Sequence, residues 1–514
     1  MVRTANPTDT EAFDRDSGPA RASGTQSRRS GLQRLQAWVS TARWSLVVWS
    51  SMALWSLVMF EQVRSNHADF STARFDLGNM VQAVWSTAEG RPLESTGVTG
   101  EQMLRLAGHV DPILALLAPL WVVAPTPMTL VAVQVGALAV GALPAYWLGR
   151  KLLESEAAAA LVALAYLTYP WLAWSAVDAV HPVTLAIPLL LLATWFLVGD
   201  RLWPFAVAAG LALICGELIG FAVSALGLWY ALARGRRPAG FAIAFLGAAW
   251  SVVAILVVMP AFRDGPSIFE GYYSSVGGSP GGILRTLFTD PGAILAQVTT
   301  AHDIAYVLLL SVPFAGLFLL APALAAVALP QLFVNTLSGR DALVDPRYHY
   351  VAAILPVLVA ASVFGLARLR RERRTFAAGI VLALSASMLV LVGPLPGSRF
   401  ADETRFPQAS AEHVAALHAA VGLIPGDARV TSTNHAGAHL AEREFLYSFP
   451  VLGDAEWVVL DQRDAWTPPG TLGGEGVRPA LMESLVASLD RDPGWERVFD
   501  RSDVLVFRRD ARRG

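Results

Sequence analysis

The chain has 514 residues, is 54% hydrophobic and only 16% charged, and has a mean hydropathy of +0.47. A soluble chain of this length carries more charge, so the composition excludes an ordinary soluble enzyme and points to a helical membrane protein that crosses the bilayer many times. A net charge of −2 excludes a nucleic-acid binder, and the single cysteine, Cys215, excludes an internal disulfide or a thiolate metal site.

Residues 1–40 are polar, without apolar periodicity, and read as a disordered cytoplasmic tail. The first apolar run, 44–60, has no small-residue cleavage site and reads as a retained span. Apolar runs of roughly 15 to 25 residues then recur, the length that crosses a ~30 Å hydrocarbon core. Spans are expected near 44–60, 128–149, 157–176, 183–199, 203–216, 218–233, 238–260, 304–318, 319–335, 350–367 and 376–393, about eleven in all. The run 112–124 is expected to be a surface or re-entrant helix. "CGELIG" is expected to split 203–233 into two short helices. Domain boundaries follow: a tail over 1–40, a transmembrane domain over 41–394 with a first outer loop at 61–127, and a soluble domain over 395–514.

Arginine placement predicts orientation. Arg28, Arg29, Arg34 and Arg43 precede the first span, Arg150 and Lys151 close the second, and "RLRRERR" (Arg368–Arg374) precedes the last. Such clusters stay cytoplasmic. An odd number of spans then places the C-terminal domain outside the plasma membrane. That domain reads as a small α/β unit: a helix over Ala409–Val421, strands at "ARVTST", "EWVVLD", "WERVF" and "VLVFR", and a helix over Ala480–Leu489.

On this path five polar motifs fall on the outer face: "FDLGNMVQ" (Asp76, Asn79, Gln82), "GHVDP" (His109, Asp111), "DAVHP" (Asp178, His181), "CGELIG" (Glu217) and "RDALVDPRYHY" (Arg340, Arg347, His349). Ionisable groups near hydrocarbon are expensive unless paired, so their collection at one level predicts a site. Each also has an ordinary structural reading. Asp76, His109, Asp111, Asp178 and His181 suit helix caps, Glu217 suits a hydrogen bond between helices, and Arg340 and Arg347 suit a solvated loop. Together with His349 the two arginines suit an anion site. No nucleotide-binding glycine motif, H-E-x-x-H or G-x-S-x-G occurs, so no nucleotide cofactor is expected.

The "FDLG…Q…W" segment, "HVDP" before an apolar helix, "GALPAYWLGRKL" and the late "RYHY" resemble bacterial domain-of-unknown-function family 2079. That layout in turn resembles the GT-C membrane glycosyltransferases over about residues 44–394. The resemblance implies a GT-C-like fold, a polyprenyl-phosphate-linked sugar as donor, inverting transfer to a glycan, lipid or protein acceptor, and the bilayer itself as a partner. It implies that Asp76 is the catalytic acid of the first outer loop. A divalent cation, Mg or Mn, would be held by Asp76, His109 and Asp111; no second acid adjoins Asp76, which leaves a two-carboxylate metal site open to question. Asn79, Gln82, His109, Asp111, Asp178, His181, Glu217, Arg340, Arg347 and His349 would bind substrate. The alternatives are a transporter or flippase of a lipid-linked or small polar substrate, and a non-catalytic envelope assembly protein.

Overall fold

The structure, a computed structural model, describes residues 22–400 other than Asp264 and Pro266, together with 410–468 and 476–510. The chain is mostly helical. Its first helix runs Ala22–Ala68, so the irregular tail expected over 1–40 is helical from Ala22; residues 1–21 lie outside the described residues. The local cause is that 30–40 lacks proline and that 32–37 reads Leu-Gln-Arg-Leu-Gln-Ala, all residues that favour helix.

Among the described residues, four helices are long and apolar enough to cross a membrane: Ala42–Ala68 within that first helix, Pro127–Leu153, Arg237–Phe262 and Arg371–Val392. Two bent pairs raise the number to six if each is one span: Glu156–Leu167 with Pro170–Val177, bent 44°, and Pro291–Val298 with Ala301–Phe314, bent 52°. The first bend falls at Pro170, which cannot continue the helical ladder. The remaining apolar helices, among them Pro182–Val198, Leu202–Leu213, Ile219–Leu232, Pro322–Leu337 and Leu355–Ala367, have 10–17 residues. At 1.5 Å per residue they reach about 15–25 Å, short of the hydrocarbon thickness. The segment expected at 112–124 is a short helix, Pro112–Val123, with Leu116, Leu120, Val122 and Val123 exposed.

Leu355–Ala367 is almost entirely buried and forms the centre of the bundle. Arg237–Phe262 and Arg371–Val392 lie on its outside, with Phe245, Leu246, Leu256, Val390 and Leu391 exposed. An exposed apolar belt of this kind is the face a bilayer covers.

Outside the bundle, β1 (Glu94–Thr96) and β2 (Gln102–Leu104) form an antiparallel hairpin. The C-terminal domain is a five-stranded mixed sheet. Its strands are β3 (Val430–Ser432), β4 (Leu446–Ser448), β5 (Trp457–Asp461), β8 (Trp495–Arg501) and β9 (Val504–Arg509), in the order β4-β3-β5-β9-β8. β3 is parallel to β4 and β5, and β9 is antiparallel to β5 and β8. β6 (Trp466–Thr467) and β7 (Gly476–Val477) pair separately. Helices Ala411–Gly422 and Pro479–Arg491 fall where the sequence predicts them. β4 and the short helix Asn434–Ala438 were not expected.

Candidate functional site

Asp76 lies on Arg74–Gly78, one wide helical turn that leads directly into helix Asn79–Ala88. Its side chain caps neither element, which removes the ordinary structural reading for this residue. The turn is anchored from below by Arg74. That side chain is fully buried and donates to the carbonyls of Thr96 (2.9 Å) and Leu446 (2.5 Å). Asp76 itself keeps nearly half of its side-chain surface exposed, with Oδ1 3.6 Å from His181 Nε2.

His181 and Asp178 share the turn after Pro170–Val177. Ala179 takes a left-handed conformation (φ 55°) there, a backbone state that non-glycine residues adopt at a cost. Gln134 holds the turn closed from helix Pro127–Leu153. Its amide donates to Ser175 O (3.2 Å) and Ala179 O (2.6 Å), and its carbonyl accepts from His181 N (2.8 Å) and Thr184 Oγ1 (3.0 Å). Every hydrogen-bonding position of a buried amide is thus used to aim two ionisable residues at one point.

His349 arrives from the loop before the central helix. Its backbone N–H donates to Asp178 Oδ2 (3.2 Å), and its Nδ1 lies 3.3 Å from the same oxygen. Its ring stacks on His181, with centroids 3.6 Å apart and planes 17° apart. Asp76, His181, His349 and Asp178 therefore form a continuous acid–imidazole–imidazole–acid series. Burial pushes Asp178 up to about 7, assisted by the nearby charges of Asp76 and Asp345. Burial, with His181, His109 and Arg105 nearby, pushes His349 well down. Burial would depress His181 too, but contact with Asp76 and the charge of Asp178 raise it.

The other expected residues gather around this series in pairs. Asp111 is buried and receives a forked bond from Arg105, at 2.7 to 2.9 Å. Glu217 sits where 203–233 breaks into two helices, as expected. Its carboxylate accepts from Val110 N (3.1 Å) and lies 3.3 Å from His109 Nδ1. Arg347 forks onto Asp345 at 2.6 to 3.0 Å, and Arg340 donates to the Tyr272 hydroxyl and covers its ring. Burial pushes the Tyr348 and Tyr350 phenols up, and the charges of Asp178 and Asp76 add to it. Two expected site residues face elsewhere. Asn79 donates to Phe75 O, and Gln82 is buried and donates to Thr96 Oγ1 and to the carbonyls of Arg443 and Glu444.

The metal set expected from Asp76, His109 and Asp111 is not assembled, because Asp111 is committed to Arg105 and His109 to Glu217. Asp178, His181 and His349 instead bring their donor atoms within 4.8 Å of one another.

The C-terminal domain supplies residues that sequence reasoning missed. Asn434 Oδ1 accepts from Phe75 N (3.4 Å), and Trp466 meets the Phe75 ring edge-on. Asp464 accepts from His435 N (2.8 Å), and the charge of Asp76 reaches His435. Asn434 and His435 follow the carboxyl end of β3, where parallel strands commonly present polar side chains. The signal was "STNHAG" directly after a strand. A cavity of about 460 Å³ lies beside the hairpin, lined by residues that include Arg91, Glu94, Glu101, Gln102, Phe262 and Arg263; Asp76, His109 and Glu217 do not line it.

Bundle, apolar belt and acid–imidazole series together define a helical membrane protein with a polar centre roofed by an α/β domain. The chain belongs to DUF2079, the family described as a predicted membrane protein, whose model matches residues 66–472. The matched range takes in Asp76, Asp178, His181 and His349 and reaches Asn434, His435 and Asp464 beyond them. No curated protein matches the chain.

Proposed function

We propose that the chain is an inverting membrane glycosyltransferase of GT-C-like architecture that moves a sugar from a polyprenyl phosphate to an acceptor hydroxyl outside the plasma membrane. The observation that supports this reading best is the position of Asp76. A half-exposed carboxylate backed by His181 stands where the bundle meets the C-terminal domain. Asp76 accepts the acceptor's proton as the new C–O bond forms at the anomeric carbon. The old C–O bond breaks and its electron pair leaves with the lipid phosphate, near Arg347 and Arg340. His181 holds the Asp76 carboxylate in place and shares its charge. Donor affinity comes from the lipid chain in the bilayer, so no nucleotide pocket is needed.

The test is transfer from a panel of polyprenyl-phosphate sugars in membranes carrying the chain, with and without EDTA, against membranes carrying Asp76→Asn. Product that forms with the wild type and is lost with Asp76→Asn supports the reading; no product from any donor sinks it. The cavity beside the hairpin favours a second reading, a non-catalytic assembly role in which this outer segment binds an envelope partner. Transfer that depends on Asp76 would exclude it.

A further inference from the structure

We infer that Asp178, His181 and His349 form a binding site for one divalent transition-metal ion. The inference does not depend on the transfer reading.

Three donors from two separate parts of the chain converge here. Their ligand atoms lie within 4.8 Å of one another, and His181 is buried while the other two are partly so. Ligands 2.0–2.2 Å from a tetrahedral ion stand about 3.5 Å apart. The ion therefore draws the donors in by about 1 Å, which ring and carboxylate rotations supply. The two imidazoles must also open from their stack into a V, so that both lone pairs meet at one point.

Independent observations separate this cluster from a chance collection of polar groups. The Nδ1 of His181 is buried and has no hydrogen-bond partner among the described residues, so that ring has capacity the protein leaves unused. Gln134 spends a whole buried side chain on fixing the turn, and Ala179 holds that turn in a left-handed backbone state. Outer-sphere bonding of this kind orients metal-ligating groups in metalloproteins. Asp76, 3.6 Å from His181 Nε2, lies at the ring edge away from Nδ1, where a carboxylate orients a metal-ligating imidazole.

The donor chemistry selects the ion. Two imidazoles and one carboxylate suit Zn²⁺, with Mn²⁺ or Fe²⁺ below it. Mg²⁺ and Ca²⁺ prefer all-oxygen shells. Of the Mg or Mn expected from the sequence, these donors suit Mn and not Mg.

The experiment is metal binding to the full chain in detergent, purified on a tag without histidine and stripped with EDTA. Zn²⁺ should bind at one equivalent per chain, and a thousandfold excess of Mg²⁺ should not displace it. Co²⁺ should give a visible d–d absorption that Zn²⁺ abolishes, a readout that needs no variant. His181→Ala and His349→Ala should each weaken Zn²⁺ binding at least tenfold, with His349→Gln as the milder check on folding. His302→Ala should bind as the wild type does, because His302 pairs with Asp341 on an exposed surface. The inference is overturned if the wild type shows neither stoichiometric Zn²⁺ nor a Co²⁺ band. It is overturned equally if binding survives in the His181→Ala/His349→Ala double variant, or if Mg²⁺ competes on equal terms.

Discussion

Asp76→Asn separates chemistry from structure because the Asp76 side chain caps no helix. The melting temperature should barely move, and Asn keeps the contact with His181. Glycosyl transfer should fall roughly 10²-fold or more, since an amide cannot take the acceptor's proton. Full activity in this variant would remove the base from the mechanism. A second residue, Asp464, gives a pH test remote from the bundle. It is fully buried, has one oxygen without a hydrogen-bond partner among the described residues, and is pushed up to about 7 by burial. The folded state thus holds this proton more tightly than the unfolded chain. The stabilisation is complete below the unfolded value of about 4 and is lost as pH rises through 7. Asp464→Asn mimics the protonated form, so it should melt higher than the wild type at pH 8 and close to it at pH 4. An equal difference at both pH values would refute the assignment. The cluster's acids and histidines were legible because charge inside an apolar sequence is conspicuous. Their partners were not. Gln134 hides in an apolar helix as one amide, Arg105 looks like any loop arginine, and His435 belongs to a domain whose docking only the fold reveals.

Two elements carry the arrangement of the site. The first is the joint between the first outer segment and the C-terminal domain. Gln82, Arg74 and Gln102 satisfy the carbonyls of Arg443, Glu444 and Leu446 at the start of β4. Gln82→Ala leaves the Arg443 carbonyl unmatched, while Gln102 and Thr96 still serve Glu444, a loss of about 1–3 kcal/mol. Hydrogen exchange should rise across 443–448 while the transmembrane helices keep their protection; unchanged exchange there would show that the joint is held elsewhere. The second element is the helix pair Ile219–Leu232 and Arg237–Phe262. A Cβ on Gly227 would run into the Ala244 backbone, and one on Gly240 into Ala231. Small residues let the two backbones touch, as is common where lipid removes the hydrophobic drive between helices. Gly227→Val should force the pair apart and disturb Glu217, whose carbonyl is held by Ser251 of the second helix at 2.6 Å. The expected readout is a lower melting temperature in detergent than that of Gly210→Ala, whose site is open and whose backbone is helical. The spans were readable as apolar runs, but the bends and short helices were not, because apolar composition is the same in a crossing helix and in one that stops halfway. β4 is three residues long and its pairing is non-local, so its strand character was invisible to periodicity.

At the scale of the whole molecule, contact constrains topology more firmly than counting spans. Arg74 follows the first helix and bonds to Leu446, which follows the last span, Arg371–Val392. Groups that share a hydrogen bond lie on the same side of a membrane. The first and last spans must therefore deliver the chain to one side, and the total number of crossings is odd. Four long helices, or six with both bent pairs, are even numbers. Either one bent pair re-enters without crossing, or an odd number of the shorter helices completes a crossing beside it. Charge sets the expected side of the domain, which thiol labelling tests: arginines crowd 368–374 before the last span, and such clusters tend to remain cytoplasmic. The path expected from the sequence puts all nine histidines on the opposite, outer side. Cys215 is buried and is the single cysteine, so introduced thiols report cleanly. Glu483→Cys, on the exposed face of helix Pro479–Arg491, should react with a membrane-impermeant maleimide on intact cells. Arg373→Cys, at the exposed start of the last span, should react only after permeabilisation. The reverse pattern would place Asp76 and its histidines in the cytoplasm, where no lipid-linked sugar of the outer leaflet could reach them. If both sites react on intact cells, the last helix does not cross at all, and the odd number of crossings that the contact between Arg74 and Leu446 requires is completed by the helices before it.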